Sequence, residues 1–247
     1  MSDFISIVIP AYNEETRIGP TLEKVSAYCT GRFREFEIIA VDDGSTDNTA
    51  SLVTDFSRKL GNIHLIHYAR NAGKGYAVRK GVLSSRGDLL LICDADLSTP
   101  IEEVEKLIPF IHSGYAMAIG SRALKESSII ERQPWYREGM GKTFNLFVRM
   151  LAIRGIKDTQ CGFKLITGDV ARALFSKCSI DGFSFDVEVL YLAEKAGYKI
   201  KEVPIRWINS PFSRVVIMWD PLKMFLELFK IRINFLTGKY NQPRQNL

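Results

Sequence analysis

What most constrains this chain is a repeated pattern in which a short apolar run stops on a polar cluster and a helical stretch follows. Ile5–Pro10 (ISIVIP) breaks at Tyr12-Asn13-Glu14, Phe36–Val41 (FEIIAV) stops on Asp42 and Asp43, and Leu89–Cys93 stops on Asp94-Ala95-Asp96. Runs this short and this continuously apolar suit strands buried on both faces. Between them a helix is expected from about Arg17 to Cys29, with Pro20 in its first turn. Turn and N-cap residues at 44–49 introduce a second helix to about Leu60. Ile63–Tyr68 reads as a further strand, and RNAGKGYAVRKGVLSS as a Gly-punctuated loop opening a helix. Strands alternating with helices at this spacing imply βαβ units, an α/β fold with a mostly parallel sheet and helices on both faces. Ligands of such sheets lie beyond the carboxyl ends of the strands, so the three polar clusters are expected to converge.

The second half is less regular. Glu102–His112 reads as a helix, Tyr115–Gly120 as a strand ending in Gly120-Ser121-Arg122, and Lys125–Tyr136 as a polar loop. Met140, Phe144, Phe147, Val148 and Leu151 share one helical stripe with Arg137, Lys142, Arg149 and Arg154 around it. Either a core helix with a solvated face or a helix lying on anionic lipid gives that pattern. Phe163–Ile166 is expected to be a short strand, helices to start near Gly168 and to span Asp186–Ala196, and Tyr198–Trp207 to be one strand. The tail WDPLKMFLELFKIRINFLTGKY is apolar on almost every side, but Lys223, Glu227, Lys230 and Arg232 interrupt it. No run approaches the roughly 20 apolar residues of a spanning helix, so a packed or interfacial helix is expected.

The carboxylates of Asp94 and Asp96 hold the chemistry. Along an extended chain they fall on the same side, about 7 Å apart. Like charges at a buried strand end call for a cation between them, and Mg²⁺ often shares such sites with substrate phosphates. The plainer alternative is a solvated loop with acidic caps. Lys74, in the Gly73-Lys74-Gly75 turn, adds a cation beside helix N-terminal amides suited to phosphate. Val78 stands where the last glycine of a GxGxxG loop would be, which argues against a dinucleotide-binding turn. The N-terminus has no basic stretch followed by a long apolar one, so no secretory signal is expected. The four cysteines form no CxxC pair. A reducing, cytosolic location is the expectation. The net charge of +5 is a mild bias toward anionic partners.

IVIPAYNE at 7–14, VDDGSTD at 41–47, RNAGKGYA at 70–77 and DADLSTP at 94–100 resemble the inverting family 2 glycosyltransferases. DTQCGFKL at 158–165, FDVEVLYLA at 185–193 and EVPIRW at 202–207 look like the dolichyl-phosphate β-glucosyltransferases and related mannose synthases. The resemblance implies a GT-A type, Rossmann-like domain over 1–215, its acceptor side at about 123–215, and a C-terminal interfacial helix and tail over 216–247. It also implies a nucleotide-sugar donor, a polyprenyl phosphate acceptor, a divalent cation (Mg²⁺ or Mn²⁺) and a membrane surface at the cytosolic face, with no nucleic-acid partner. Pro10, Tyr12, Glu14 and Asp43 would line the nucleotide pocket, Asp43 accepting from the uracil imide, while Asp42 caps the turn that presents it. Asp94 would approach the ribose and sugar, Asp96 would ligate the metal, and Ser98 stands where the mannose synthases carry a glutamine ligand. Arg122 and Arg137 match acceptor-phosphate arginines, Arg214 a basic position near the donor diphosphate, and Asp158 a buttress. Catalysis would rest on Asp94, Asp96 and Arg122.

A phosphate acceptor brings its own anionic nucleophile, whereas a sugar hydroxyl would need a general base, which the sequence does not place. Glucose from UDP-glucose is the expected transfer. GDP-mannose as donor, a saccharide hydroxyl as acceptor, and a non-catalytic nucleotide-sugar-binding scaffold are the alternatives.

Overall fold

The structure is a computed structural model and describes residues 4–131, 134–153, 155–209 and 220–242. The first half alternates as expected: β1 (Phe4–Ala11), α1 (Ile18–Arg32), β2 (Glu35–Asp42), α2 (Thr49–Leu60), β3 (Ile63–His67), α3 (Lys74–Ser84) and β4 (Leu89–Ile92). A 3₁₀ turn (Ile101–Glu103) leads into α4 (Val104–His112), and β5 (Met117–Ser121) follows. Then come β6 (Ser128–Glu131), α5 (Trp135–Leu151), β7 (Lys164–Thr167), α6 (Gly168–Phe175), α7 (Phe185–Lys195), β8 (Ile200–Pro204), β9 (Arg206–Ile208) and α8 (Asp220–Leu236).

Seven strands form one sheet in the order β3-β2-β1-β4-β7-β5-β8. Every pairing is parallel except those of β7, which runs antiparallel between β4 and β5. Period-two alternation explains why the strands are apolar throughout. Ile5, Ile7 and Ile9 of β1 face the core with Ile38 and Ala40 of β2 and with Leu22, Val53 and Val104 of the helices on that side. Val8, Ile39, Val41, Leu90 and Ile92 face the opposite core, with Val78 of α3, Phe175 of α6 and Val189 of α7. Two cores on two faces fix the sheet's register, because a slip by one residue would exchange them.

Two expectations need correction. Lys125–Tyr136 is not all loop, since Ser128–Glu131 is a strand and α5 begins at Trp135. Tyr198–Trp207 is not one strand. It divides after Pro204, and Arg206–Ile208 leaves the large sheet to pair with β6 in a separate two-stranded sheet. The division lies where the edge strand ends: Pro204 is the last residue paired with β5, and Ile205 gives its carbonyl to Ser128 N at 3.0 Å. No described helix is long and apolar enough to cross a membrane.

Candidate active site

The three polar clusters meet beyond the carboxyl ends of β1, β2 and β4, at the mouth of a cavity of about 530 Å³. Pro10, Tyr12, Glu14, Asp43, Lys74, Asp94, Asp96, Ser98 and Arg122 all line it. The Arg137 side chain and Arg214 lie outside the described residues.

Asp42 and Asp43 end β2 and do different work. Asp42 is fully buried and accepts from the Ser45 hydroxyl and from Ser45 N, and its other oxygen lies 2.7 Å from His67 Nδ1. It therefore ties the turn after β2 to the end of β3, the capping role expected of it. The Asp43 carboxylate accepts from Tyr68 Oη (2.8 Å), Asn71 Nδ2 (2.9 Å), Ala72 N (2.8 Å) and Gly73 N (3.0 Å). Burial pushes its carboxyl above the ordinary value against the pull of these donors. Asp43 thus anchors the loop that leads into α3 while lining the cavity.

The Asp94–Asp96 pair stands on a turn, not on the strand. β4 ends at Ile92, Leu97 N bonds back to Asp94 O at 3.2 Å, and Leu97 sits at φ +47°. The extended geometry read from the sequence is therefore corrected: the chain folds over as soon as it leaves the sheet. Thr21 Oγ1 of α1 holds the turn through Ala95 O (2.7 Å), and Ile208 N holds it through Ser98 O (2.8 Å). Asp96 Oδ1 accepts from Ser98 N at 2.9 Å.

Glu14, Asp94 and Asp96 at the mouth each face a cation. Lys74 Nζ, at the first turn of α3, lies 2.6 Å from Asp94 Oδ1. Arg17 grips Glu14 through Nε (2.5 Å) and Nη2 (2.6 Å), and its Nη1 reaches to 4.0 Å from Asp96 Oδ2. Arg122 makes a fork to Asp158, Nε to Oδ2 at 2.7 Å and Nη2 to Oδ1 at 2.8 Å, with its guanidinium 5.5 Å from the Trp207 ring. Asp158 is the buttress expected of it. Burial opposes ionisation of Asp94, but the Lys74 ammonium outweighs it, with help from Lys164 and Arg122, and holds the carboxyl low. The Asp158 carboxyl is likewise held low by Arg122 against its burial.

Beneath the mouth lies a second ion pair that the sequence reading did not assign. Lys164 is fully buried on β7 and bonds both the Asp186 carboxylate at the start of α7 and Cys161 O. Cys161 belongs to the loop on which Asp94 rests, and a Cβ at the neighbouring Gly162 would come within 2.1 Å of Asp94 Oδ2. The signal for Lys164 was present in the sequence: a lysine inside a run otherwise fit for a buried strand requires a buried partner. Arg17 carried a weaker signal, one turn after Glu14 at a helix start. Among the described residues no group of three or more His, Cys, Asp and Glu side chains is placed to hold a metal. The arrangement instead sets the Asp94–Asp96 pair beside Arg17, Lys74 and Arg122 at one cavity, a set suited to a polyanion that brings further metal ligands of its own.

Residues 6–173 match the profile of Glycosyl transferase family 2. The chain is 38% identical to the dolichyl-phosphate beta-glucosyltransferase of Mus musculus, over 96% of this chain and 77% of the relative. It is 35% identical to the enzyme of that name from Saccharomyces cerevisiae, over 98% and 78%. Among solved structures, the glucosyl-3-phosphoglycerate synthase of Mycobacterium tuberculosis, complexed with Mn²⁺, UDP-glucose and phosphoglyceric acid, superposes with a TM-score of 0.68. That likeness covers 98% of this chain and 82% of the other at 19% identity, and it is a likeness of fold. The matched profile spans β1 to α6, with every polar strand end inside it, and the chain belongs to glycosyltransferase family 2.

Proposed function

We propose that this chain is an inverting hexosyltransferase that moves glucose from UDP-glucose to a polyprenyl phosphate, dolichyl or undecaprenyl, at the cytosolic face of a membrane. One observation carries the reading. Asp94 and Asp96 line one cavity together with Arg17, Lys74 and Arg122, in a chain with relatives over nearly its whole length named dolichyl-phosphate beta-glucosyltransferase.

Asp94 and Asp96, with Ser98 beside them, suit a divalent cation, Mg²⁺ or Mn²⁺. Two carboxylates supply part of an oxygen set that donor phosphates and water complete, as is usual for Mg²⁺. When bound, the metal neutralises charge on the leaving diphosphate. Lys74 sits where its ammonium can turn from Asp94 to a phosphate oxygen, and Arg17 tethers Asp96 from the other side. Pro10, Tyr12, Glu14 and Asp43 form the nucleotide end. Arg122 positions the acceptor phosphate. Its Nε and Nη2 are committed to Asp158, which fixes the plane of the guanidinium and leaves Nη1 for the incoming anion. Arg137 and Arg214 complete the phosphate-binding set in this reading.

The reaction is a single displacement. An acceptor phosphate oxygen attacks the anomeric carbon, and the bond from that carbon to the diphosphate breaks with its electron pair on UDP. The nucleophile carries no proton at neutral pH, so no side chain need act as base. The exposed apolar residues of α8, flanked by Lys223, Lys230 and Arg232, support a membrane surface as partner.

The test is transfer of radiolabel to undecaprenyl or dolichyl phosphate with Mg²⁺ present, from UDP-glucose in one tube and GDP-mannose in another. Lipid label from UDP-glucose is expected. Label from GDP-mannose alone would overturn the sugar, and label only on a saccharide would overturn the acceptor.

A further inference from the structure

We propose that Gln160 and Glu227 form the subsite that reads the hydroxyl groups of the transferred hexose, an inference that rests on the nucleotide-sugar reading above. Among the described residues, four side-chain polar atoms are buried without a hydrogen-bond partner: Asn62 Oδ1, Arg79 Nε, Gln160 Nε2 and Glu227 Oε2. The last two belong to residues that line the cavity. A buried polar atom without a partner is costly, and one at a cavity wall is where a ligand can supply the missing bond. The terminal torsions of Gln and Glu are soft, so a small rotation turns each atom toward the cavity.

The two groups are chemically complementary. A carboxylate only accepts, whereas the amide nitrogen donates, and a sugar hydroxyl does both. Neighbouring hydroxyls of one hexose can therefore donate to Glu227 and accept from Gln160. Charge argues against phosphate at this place. Glu14, Asp94 and Asp158 are each paired with a cation. Glu227 has no such partner among the described residues, so its charge repels a diphosphate but suits neutral hydroxyls.

Position agrees with chemistry. Gln160 N bonds Asp158 Oδ1 at 3.2 Å, two residues before Gly162 and the seat of Asp94. Glu227 comes from α8, with Lys223 and Met224 of the same helix also lining the cavity. A Cβ on Gly182 would lie 3.1 Å from Glu227 Oε1, so the side chain is seated against the loop before α7. Gly182 lies against Gly75 beside Lys74, as Gly162 does against Asp94, so Gln160 and Glu227 flank the Lys74–Asp94 pair. The C-terminal helix becomes part of the specificity machinery as well as a surface.

The experiment measures kcat/KM with Mn²⁺ for UDP-glucose and for donors lacking one hexose hydroxyl at a time, in the wild type, Glu227→Gln and Gln160→Leu. UDP affinity by calorimetry and the melting temperature are recorded for each. Wild type should lose about ten- to a hundredfold when the recognised hydroxyl is removed, the worth of a hydrogen bond to a charged group. Glu227→Gln should lose a similar factor on UDP-glucose, show little further loss on that one deoxy donor, and bind UDP within about twofold of wild type. Glu227→Asp serves in its place should Glu227→Gln unfold. Equal losses on every donor, or a parallel loss of UDP affinity, overturn the subsite. A folded wild type that transfers from no UDP-hexose overturns the donor reading, and the subsite falls with it.

Discussion

Lys74 occupies one oxygen of Asp94, a carboxylate of the proposed metal set, which makes its substitution informative. Burial disfavours the ammonium, but Asp94, Asp186 and Asp96 outweigh it and lift Lys74 above the usual lysine range. In the proposed cycle Lys74 must release Asp94 when metal and diphosphate arrive. Lys74→Met should therefore bind Mn²⁺ alone several-fold more tightly, read by electron paramagnetic resonance of free Mn²⁺. Its affinity for UDP should fall about ten- to a hundredfold. Weaker Mn²⁺ binding would show that Lys74 does not compete for the site. The pair beneath behaves differently, because Lys164 and Asp186 are both buried. Asp186→Leu alone should cost about 3–5 kcal/mol in urea unfolding by leaving a buried ammonium unpaired, and adding Lys164→Met should recover most of it. Failure of the second change to recover stability would mean that Lys164 matters chiefly through Cys161 O. At this scale Asp94 and Asp96 were legible because acids ending an apolar run have few explanations. Gln160 and Lys164 lie within DTQCGFKL, but their partners are not legible there, since what they face is set by residues far off in the chain.

α8 packs two apolar stripes against different surroundings. Leu228 and Ile231 are fully buried, and Asn234 is nearly so. Asn234 and Tyr240 dock this end of the chain on a buried carboxylate, Tyr240 Oη to Glu188 Oε1 at 2.7 Å and Asn234 Nδ2 to Ser179 Oγ at 3.0 Å. The other stripe, Leu222, Leu226, Phe229, Ile233 and Leu236, recurs at spacings of four and three, and Leu236 is 77% exposed. Leu146 and Phe147 of α5 are exposed as well, and Phe147 stacks edgewise on Phe225 of α8. A helix anchored on one face and apolar on the other fits the boundary of a lipid layer. The wild type should float with anionic liposomes, and Leu226→Glu with Ile233→Glu should leave it in the dense fraction with an unchanged melting temperature. Flotation of that variant would remove α8 as the attachment. The helix was legible in the sequence, but its two faces were not, because a stripe facing the core and one facing outward contain the same residue types. The β6–β9 sheet escaped for a related reason: its strands have four and three residues, too few for alternation to stand out.

Across the whole molecule the charge pairs set the response to acid. The sheet and its layers followed from period-two and helical spacing, but the pairing of charges required the fold, since Ser6, Glu37 and Arg86 come together from three separate segments. Burial opposes ionisation of Glu37, Asp94 and Asp158, yet Ser6 and Arg86 at the first, Lys74 at the second and Arg122 at the third leave every one of these carboxyls below its ordinary value. Their unfolded values are about 4. The unfolded chain thus binds protons first on acidification, so this part of the stability is complete at neutral pH and is lost as pH falls below about 4. Asp43 and Asp186 lie above their ordinary values, chiefly through burial, and oppose the trend. Arg122→Met separates the contributions. Without the guanidinium, Asp158 is a buried carboxyl with its stabilising charge removed, and its native value should rise above the unfolded one. Urea unfolding at pH 7, 5, 4 and 3 should show the widest gap between wild type and variant at neutral pH, narrowing first above pH 4 as Asp158 takes its proton in the folded variant and further below about pH 4 as the unfolded carboxyl of the wild type takes its own. A gap that stays constant with pH would mean that Arg122 stabilises the fold by its contact with Trp207 and not by its charge on Asp158.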